Sequence, residues 1–212
     1  YLSSENPWYI TAFWRHFYQR HKRTHDNTFW LGVNAVKPPT DLWVYQEIIF
    51  EKKPDVIIET GTKYGGTTFY LATICDLVGR GKIVSVDIES RERRTHPRIT
   101  YLTGSSIADD TLSKIRNVIK SGDRVMVILD SDHHYTFVKD ELPLYAQFVT
   151  AEQYLIVEDT SVNGNPVFEE YPDGGPMQAV EEFLPLHPEF TADRSREKFW
   201  LTYNPKGYLL RT

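Results

Sequence analysis

Cysteine is nearly absent from the 212-residue chain, in which Cys75 is the single example. One thiol can form neither an intramolecular disulfide nor a cluster of thiolate ligands around a metal ion, and we expect a reducing, cytoplasmic environment. Long apolar runs are absent as well, since stretches such as Val125 to Leu129 are far shorter than the roughly 20 residues that a membrane-spanning helix requires. The sequence therefore predicts a soluble protein without a membrane partner.

An excess of positive charge is also missing. Lys and Arg number 24 against 29 Asp and Glu, which gives a net charge of −5. The chain thus has no basic footprint that could follow a phosphate backbone, and we expect no nucleic acid partner. With 41% hydrophobic residues, a chain of this length can bury one sizeable core, which predicts a single α/β domain after an N-terminal extension.

Aromatic residues are concentrated in that extension, residues 1–40. Those at spacings that fit one face of a helix are Trp8, Phe13, Trp14, Phe17 and Tyr18. We predict that this helix packs on the domain as a lid or mediates contacts in a homo-oligomer. A histidine-containing run follows, with members at His16, His21 and His25. Because no carboxylate pattern surrounds these histidines, a solvated face is favoured over a metal site.

From Asp41 to the end, strand-like and helix-like segments alternate, which predicts a Rossmann-like α/β domain with a mostly parallel seven-stranded sheet. The predicted parallel strands are Val56 to Glu59, Lys82 to Ile88, Ile99 to Thr103, Val125 to Asp130 and Tyr154 to Glu158. Trp200 to Tyr203 and Tyr208 to Arg211, joined by turn-forming residues, predict an antiparallel C-terminal hairpin. Helices are predicted after Gly66, Ala108, Thr136 and Gly175.

The first strand runs into a glycine-rich turn that is typical of a nucleotide-like ligand site. Gly61 permits a tight turn, and Gly65 and Gly66 open a helix whose free N–H groups can face polar ligand atoms. Glu59 at the strand end favours a cationic ligand such as S-adenosylmethionine over a diphosphate. Glycine turns also occur merely to let a helix pack closely on a sheet, so the turn alone does not distinguish a ligand site from a packing feature.

Further candidates for the adenosyl ligand follow the next two strands. Asp87 can accept both ribose hydroxyls, although a surface carboxylate at a strand end is the alternative. Gly104, Ser105 and Ser106 suit an adenine edge, whereas a helix cap by Ser106 or Asp109 fits equally well. The predicted cofactor contacts are Glu59, Gly61, Thr62, Tyr64, Gly65, Gly66, Asp87, Ser105, Ser106 and Asp130.

Two buried strands end abruptly in carboxylates, at Asp130 and at Glu158 and Asp159. Carboxyl ends of parallel strands line one crevice, where three acids repel one another unless a cation compensates them. A hard divalent ion such as Mg²⁺ takes oxygen ligands and would help to activate a substrate hydroxyl. Helix capping by Asp132 and Asp159 is the alternative. His133 is a candidate general base for that hydroxyl, or else a buried or capping histidine, and His134 is a weaker candidate.

Several motifs in order resemble the cephalosporin hydroxylase family, whose members, despite the name, resemble S-adenosylmethionine-dependent methyltransferases, including rhamnosyl O-methyltransferases. The resemblance spans Phe29 to Arg211. Its pieces are Phe29–Val33, Asp41–Glu47, Ile58–Thr62 with Gly65 and Gly66, Leu129–His133, Val157–Thr160, Gly175–Met177 and Arg196–Phe199 with Thr202, Asn204 and Pro205. It implies a class I methyltransferase fold and a magnesium site at Asp130, Glu158 and Asp159.

The spacing also resembles catechol-type O-methyltransferases, in which a base stands three residues after the first metal acid. That position is His133 here and not a lysine, and Asn165 stands where a histidine is expected. We therefore predict a metal-assisted O-methyltransferase that acts on a hydroxyl of a small natural product or sugar. Segment 163–175 and the extension would exclude water. The alternatives are a non-haem oxygenase, an NAD-linked dehydrogenase and a non-catalytic protein that binds an adenosyl ligand.

Overall fold

A computed structural model describes residues 7–168 and 171–212. Residues 1–6 of the predicted extension and residues 169–170 of the predicted water-excluding segment lie outside this described part. The elements, in chain order, are α1 (Trp8–Gln19), β1 (Phe29–Trp30), β2 (Val33–Asn34), α2 (Pro39–Lys52), β3 (Val56–Thr60), α3 (Gly66–Val78), β4 (Lys82–Asp87), β5 (Ile99–Thr103), α4 (Asp109–Val118), β6 (Val125–Leu129), α5 (Tyr135–Ala146), β7 (Tyr154–Val157), α6 (Pro176–Phe183), β8 (Phe190–Ala192) and β9 (Tyr208–Arg211).

The main sheet has seven strands in the order β5-β4-β3-β6-β7-β9-β8. The first five strands of that order are parallel, whereas β9 is antiparallel to β7 and to β8. Strands β3, β6 and β7 are buried along their whole length, as expected for aliphatic strands covered by helices on both faces. The strand order reverses between β3 and β6, and open α/β sheets place their ligands at such a point. The predicted fold class is therefore confirmed.

Side chains alternate between two apolar layers along each central strand. In β3, Ile58 packs in the layer formed with α4, α5 and α6, and its neighbour Ile57 packs in the layer formed with α2 and α3. In β7, Leu155 and Ile156 divide in the same way. This two-residue period decides which layer each acid at a strand end faces.

The C-terminal antiparallel pair is present, but its first strand differs from the prediction. Phe190–Ala192 pairs with β9, and the predicted strand Trp200 to Tyr203 is not part of the sheet. Trp200 has a left-handed backbone with φ of 61°, and the N–H of Tyr203 donates to the buried carboxylate of Asp41 at 2.9 Å. These contacts draw the segment away from the sheet edge and onto α2, an element that the sequence analysis did not predict.

The N-terminal helix exists as predicted, but part of its aromatic stripe faces solvent. Trp14 is buried against Val167 and Tyr203, whereas Trp8 and Phe13 are 81% and 57% exposed. Farther along, the hairpin of β1 and β2 lies on the start of α3 so closely that a Cβ on Gly66 would stand 2.1 Å from the carbonyl oxygen of Asn34. Within the described residues, no helix is both long enough and apolar enough to cross a membrane.

Candidate active site

A cavity of about 740 Å³ opens at the carboxyl ends of the parallel strands. The turns that follow β3, β4, β5, β6 and β7 all contribute to its wall, and so does the N-terminal segment. Of the predicted site residues, those that line the cavity are Gly61, Thr62, Tyr64, Gly66, Asp87, Ser105, Ser106, Asp130, His133 and Asp159. The structure thus gathers residues from five separate strand ends into one site.

The turn after β3 is shaped by a backbone contact. Gly61 has a φ of 81°, and a Cβ at this position would lie 1.7 Å from the carbonyl oxygen of Asp130. Its N–H donates to the carbonyl of Val86 at 2.8 Å. Glycine is required at this turn because the backbone of Asp130, the first predicted metal ligand, lies directly against Gly61 and leaves no room for a side chain. Gly65, also left-handed, begins α3 and does not itself line the cavity.

Glu59, predicted to face a cationic ligand, is enclosed beneath the turn and not on the cavity wall. Its carboxylate accepts hydrogen bonds from the hydroxyls of Thr68 and Ser85. Glu59 continues the alternation of Ile57 and therefore faces α3. Burial raises the pKa of Glu59 to about 7, although the two hydroxyl donors oppose this shift. Its position makes Glu59 a support for the turn rather than a direct contact for a ligand in the cavity.

Asp87 stands on the cavity wall at the end of β4. Its two carboxylate oxygens accept hydrogen bonds from the N–H groups of Lys63 and Glu89, and the guanidinium of Arg93 lies 3.0 Å away. These donors fix the carboxylate at the mouth of the turn. Ser105 and Ser106 form the neighbouring part of the cavity wall. The alternative role of a helix cap does not hold, because neither Ser106 nor Asp109 caps the start of α4 with its side chain.

Asp130, His133 and Asp159 form the cluster that could hold a metal ion. One potential ligand atom from each lies within 4.8 Å of the others. The Nε2 atom of His133 lies 3.6 Å from Oδ1 of Asp130 and 3.3 Å from Oδ2 of Asp159. This nitrogen is buried and makes no hydrogen bond of good geometry with any described residue. An unsatisfied buried nitrogen beside two carboxylates fits a divalent cation.

Glu158, the third predicted metal ligand, turns away from this cluster. Its Oε1 atom accepts a hydrogen bond from the hydroxyl of Tyr45 and lies 2.9 Å from the ammonium of Lys37. The sequence holds a signal for this placement, because Glu158 continues the alternation of Tyr154 and Ile156, which face α2. Asp159 breaks the alternation with a left-handed backbone, φ 53°, and so points into the cavity.

The expected alternative to metal binding, helix capping, does not describe these acids. Helix α5 begins after His134 without a side-chain cap, and Asp132 accepts hydrogen bonds from the backbone and ring of His134. Asp159 instead receives a hydrogen bond at its own backbone, where its N–H donates to Oδ1 of Asn204 at 3.2 Å. Its carboxylate is thereby left facing His133.

Two basic side chains, Lys37 and His133, face the acids of the cluster. Burial alone would lower the pKa of Lys37, but Asp130, Glu158 and Asp159 together raise it well above its ordinary value. Burial opposes ionisation of Asp130 as well, yet Lys37 and His133 bring its pKa below the ordinary range. For His133, burial is again outweighed, and the field of Asp159 and Asp130 raises its pKa to about 9. The pKa of Glu158 is raised by burial, against the effect of Lys37.

The N-terminal segment supplies cavity residues that sequence reasoning missed. The residues from this segment that line the cavity include Tyr18, His21, His25 and Asp26, and Tyr203 lines it with them. His25 was expected on a solvated face and is buried, because its Nδ1 lies 2.5 Å from the hydroxyl of Tyr203 and its ring packs against Tyr18. Lys37 was missed as well. No local pattern marks it, since its position depends on how the hairpin folds over α3.

The arrangement agrees with known proteins over almost the whole chain. The sequence profile described as rhamnosyl O-methyltransferase/CmcI matches residues 22–212. This chain belongs to that family. Rhamnosyl O-methyltransferase of Mycobacterium leprae (strain TN) is 33% identical over 193 residues, which cover 88% of this chain and 84% of that protein. The protein of the same name from Mycobacterium tuberculosis (strain ATCC 25618 / H37Rv) is 35% identical over 208 residues, covering 90% and 83%.

Solved structures share the fold of this rhamnosyl O-methyltransferase/CmcI member. An apo structure of CmcI superposes with a TM-score of 0.67 at 19% identity, over 88% of this chain and 77% of that chain. A CmcI structure described with Mg and SAM gives 0.66 at 17% identity, over the same shares. The family and the enzyme class predicted from sequence, an O-methyltransferase, are confirmed. The predicted cofactors agree with the contents described for the second neighbour.

Proposed function

We propose that the protein transfers a methyl group from S-adenosylmethionine to a hydroxyl of a small natural product or sugar, with assistance from a divalent cation. The observation that carries this proposal is the convergence of Asp130, His133 and Asp159 beside the Gly61 turn in one cavity. The turn offers a place for the methyl donor, and the cluster offers groups that can hold and deprotonate an acceptor. Relatives with more than 30% identity carry the name rhamnosyl O-methyltransferase, which favours a sugar hydroxyl.

The adenosyl half of the cavity is assigned to the turns after β3, β4 and β5. The backbone of Gly61 and Thr62 would lie along the methionine part, and Asp87 would accept the ribose hydroxyls. Ser105 and Ser106 would border the adenine. Asp87 can do this without losing its present donors, because each carboxylate oxygen accepts more than one hydrogen bond.

Asp130 and Asp159 would hold the divalent cation, with Nε2 of His133 within reach of both. Their oxygen atoms suit Mg²⁺ or a similar hard ion. When bound, such an ion supplies positive charge that stabilises the deprotonated form of a coordinated hydroxyl. Lys37 bridges Asp130 and Glu158, which keeps Glu158 beside the two aspartates as the third candidate ligand.

The remaining steps belong to side chains of this protein. Without a cation, the field of Asp159 and Asp130 raises the pKa of His133 to about 9, which keeps the imidazole protonated near neutral pH. A divalent cation held by the two aspartates would offset this field, and Nε2 of the neutral His133 would then take the proton of the acceptor hydroxyl. Asp159 and Asp130 orient the imidazole. Tyr18 of the extension and Tyr203 would cover the acceptor. The position of Tyr18 on the cavity wall favours a role of the extension as a lid over a contact between copies.

Calorimetric titration tests the proposal. S-adenosylhomocysteine, the product, should bind to the protein with and without Mg²⁺, and turnover on a rhamnose-containing acceptor should require the metal. Binding of NADH in place of S-adenosylhomocysteine would contradict the donor assignment. Turnover that persists after removal of divalent cations with a chelator would exclude the metal role and leave the donor assignment standing.

A further inference from the structure

Four polar side chains form a series along the part of the cavity that the N-terminal segment contributes, and all four line the cavity. Nδ1 of His21 lies 2.6 Å from Oδ2 of Asp26, and Oδ1 of Asp26 lies 3.6 Å from Nε2 of His25. Nδ1 of His25 in turn lies 2.5 Å from the hydroxyl of Tyr203. The proposed methyl transfer uses no polar atom of this series, so its role in the site has to be sought elsewhere.

The inner end of the series is firmly anchored. The N–H of Tyr203 donates to the carboxylate of Asp41 at 2.9 Å, and the carbonyl of Tyr203 accepts from the N–H of Ser161 at 3.0 Å. The ring centroid of His25 lies 5.0 Å from that of Tyr203 and 5.2 Å from that of Tyr18. His25 is thus enclosed between two aromatic rings, which makes its imidazole a fixed part of the wall.

These contacts decide which atoms can donate and which can accept. Burial lowers the pKa of His25, against the raising effect of Asp26, so the imidazole is neutral at neutral pH. Because the phenol of Tyr203 donates to Nδ1, the ring proton is on Nε2, the nitrogen that faces Asp26.

The carboxylate of Asp26 is the matching acceptor. Burial would raise its pKa, but the hydrogen bond from His21 and the nearby charges lower the pKa below its ordinary value, so Asp26 is ionised. Its Oδ2 atom is paired with His21, whereas its Oδ1 atom is too far from Nε2 of His25 for a hydrogen bond between them. Asp26 and His25 therefore present one acceptor and one donor side by side.

We propose that Asp26 and His25 together bind a hydroxyl of the acceptor other than the one that is methylated, and so select a sugar over a molecule with a single hydroxyl. The inference rests on the proposed function, because it requires the acceptor to lie in this cavity. A hydroxyl can accept from Nε2–H and donate to Oδ1 at the same time. The neighbouring ring of Tyr18 offers an apolar surface for the C–H groups of a sugar.

Other polar groups fit this pair less well. A phosphate or a carboxylate would be repelled by the charge of Asp26. An ammonium group would pair with Asp26 but has no lone pair to accept from Nε2–H of His25. The charge and the donor pattern of the pair therefore favour a neutral, polyhydroxylated acceptor.

Steady-state kinetics with methyl α-L-rhamnopyranoside test this inference. They are compared with kinetics on its monodeoxy analogues, each of which lacks one ring hydroxyl other than the methylated one. On one analogue the wild type should lose at least about tenfold in kcat/KM, because Asp26 and His25 are left without their partner. In Asp26→Ala the loss on that analogue should shrink to less than about threefold, because the charged acceptor is gone. Unchanged binding of S-adenosylhomocysteine, measured by calorimetry, shows that the variant is folded.

Asp132→Ala is the matched control. Asp132 also lines the cavity, pairs with a histidine, His134, at 2.6 Å, and has a side chain that is 47% exposed, against 41% for Asp26. Its discrimination among the analogues should equal that of the wild type. His25→Phe keeps a ring and removes both nitrogens, and it should lose the preference for the same hydroxyl as Asp26→Ala does. If His25→Phe does not fold, Asp26→Ala decides alone, since its side chain is partly exposed.

The outcomes separate the inference from the proposed function. Loss of the preference in Asp26→Ala and its retention in Asp132→Ala support the inference. A preference of equal size in the wild type and Asp26→Ala, an equal loss in both aspartate variants, or no preference in the wild type overturns the inference and leaves methyl transfer to a sugar standing. Absence of methylation of the rhamnoside by the wild type overturns the sugar assignment and the inference with it, and binding of S-adenosylhomocysteine would still support the donor assignment.

Discussion

The imidazole of His133 and the carboxylate of Asp159 face each other across 3.3 Å, although they follow different strands and are 26 positions apart in the chain. The left-handed backbone of Asp159 produces this pairing, because it turns the side chain out of the strand alternation and into the cavity. A base and an acid that orients it are the parts that hydroxyl deprotonation requires.

Replacing His133 with Gln should lower kcat by about 10²- to 10⁴-fold, the range typical for loss of a general base. Binding of S-adenosylhomocysteine should change little, because His133 lies on the metal side of the cavity. Steady-state kinetics and calorimetry measure the two effects. His134→Gln is the matched control, since His134 lines the same cavity but pairs with Asp132, and its loss of rate should be much smaller. Equal losses in both variants would contradict the assignment.

Asp159→Asn should abolish metal-dependent turnover and weaken Mn²⁺ binding, because the amide offers one neutral oxygen in place of a carboxylate. Removal of metal with a chelator should likewise abolish turnover by the wild-type enzyme, and added Mg²⁺ should restore that turnover. The free energy of unfolding of Asp159→Asn should stay close to that of the wild type, since the contact of this carboxylate is with His133 in the cavity. Full turnover in chelator would refute this prediction.

Gly61→Ala should destabilise the protein by about 3 kcal/mol or more, because the new Cβ would meet the Asp130 carbonyl while the backbone keeps a positive φ. Gly79→Ala is a direct comparison. Gly79 has a φ of 75°, and among the described residues no atom beyond its chain neighbours lies within 4 Å of the added Cβ, so its cost should be about 1 kcal/mol from backbone conformation alone. Denaturant unfolding measures both. Equal costs would show that the contact with Asp130 is not tight.

Glu59→Gln should change how stability depends on pH. Burial raises the pKa of Glu59 from 4.5 to about 7, so between these values the folded state binds more protons than the unfolded state. The raised pKa of Glu59 therefore stabilises the folded state fully below pH 4.5. This stabilisation, about 3 kcal/mol, is lost as the pH rises to about 7. The variant lacks this term. The difference between the two unfolding free energies, measured from pH 4.5 to 7.5, should shift in favour of the variant, and a difference independent of pH would be inconsistent with a raised pKa.

The parallel core was predictable because its strands are short aliphatic runs that end in polar turns, and strand ends meet at one edge of a sheet. This rule also placed Asp87, Asp130 and Asp159 in one cavity. It could not separate Glu158 from Asp159, because their difference depends on a single backbone dihedral. Strand alternation does indicate the direction of Glu158, but only once the buried faces are known.

Residues brought in by tertiary packing were beyond sequence reasoning. Lys37 reaches the acids because a two-stranded hairpin lies on α3, and His25 is buried because Tyr203 was drawn onto α2. The residues next to Lys37 and His25 in the sequence show no pattern that would predict either contact. The predicted hairpin partner Trp200 to Tyr203 failed for the same reason, since a buried carboxylate, Asp41, competes with the sheet for the backbone of Tyr203.

The contact between Gly61 and the backbone of Asp130 joins the two halves of the site into a single rigid wall. The donor turn and the first acid cannot drift apart or slide without moving β3 and β6 together, at the centre of the sheet. Room to accommodate different acceptors is therefore expected in the parts of the cavity that the N-terminal segment and the loop after β7 contribute. Substitutions in those segments can therefore alter the choice of acceptor while the packed donor turn keeps its shape.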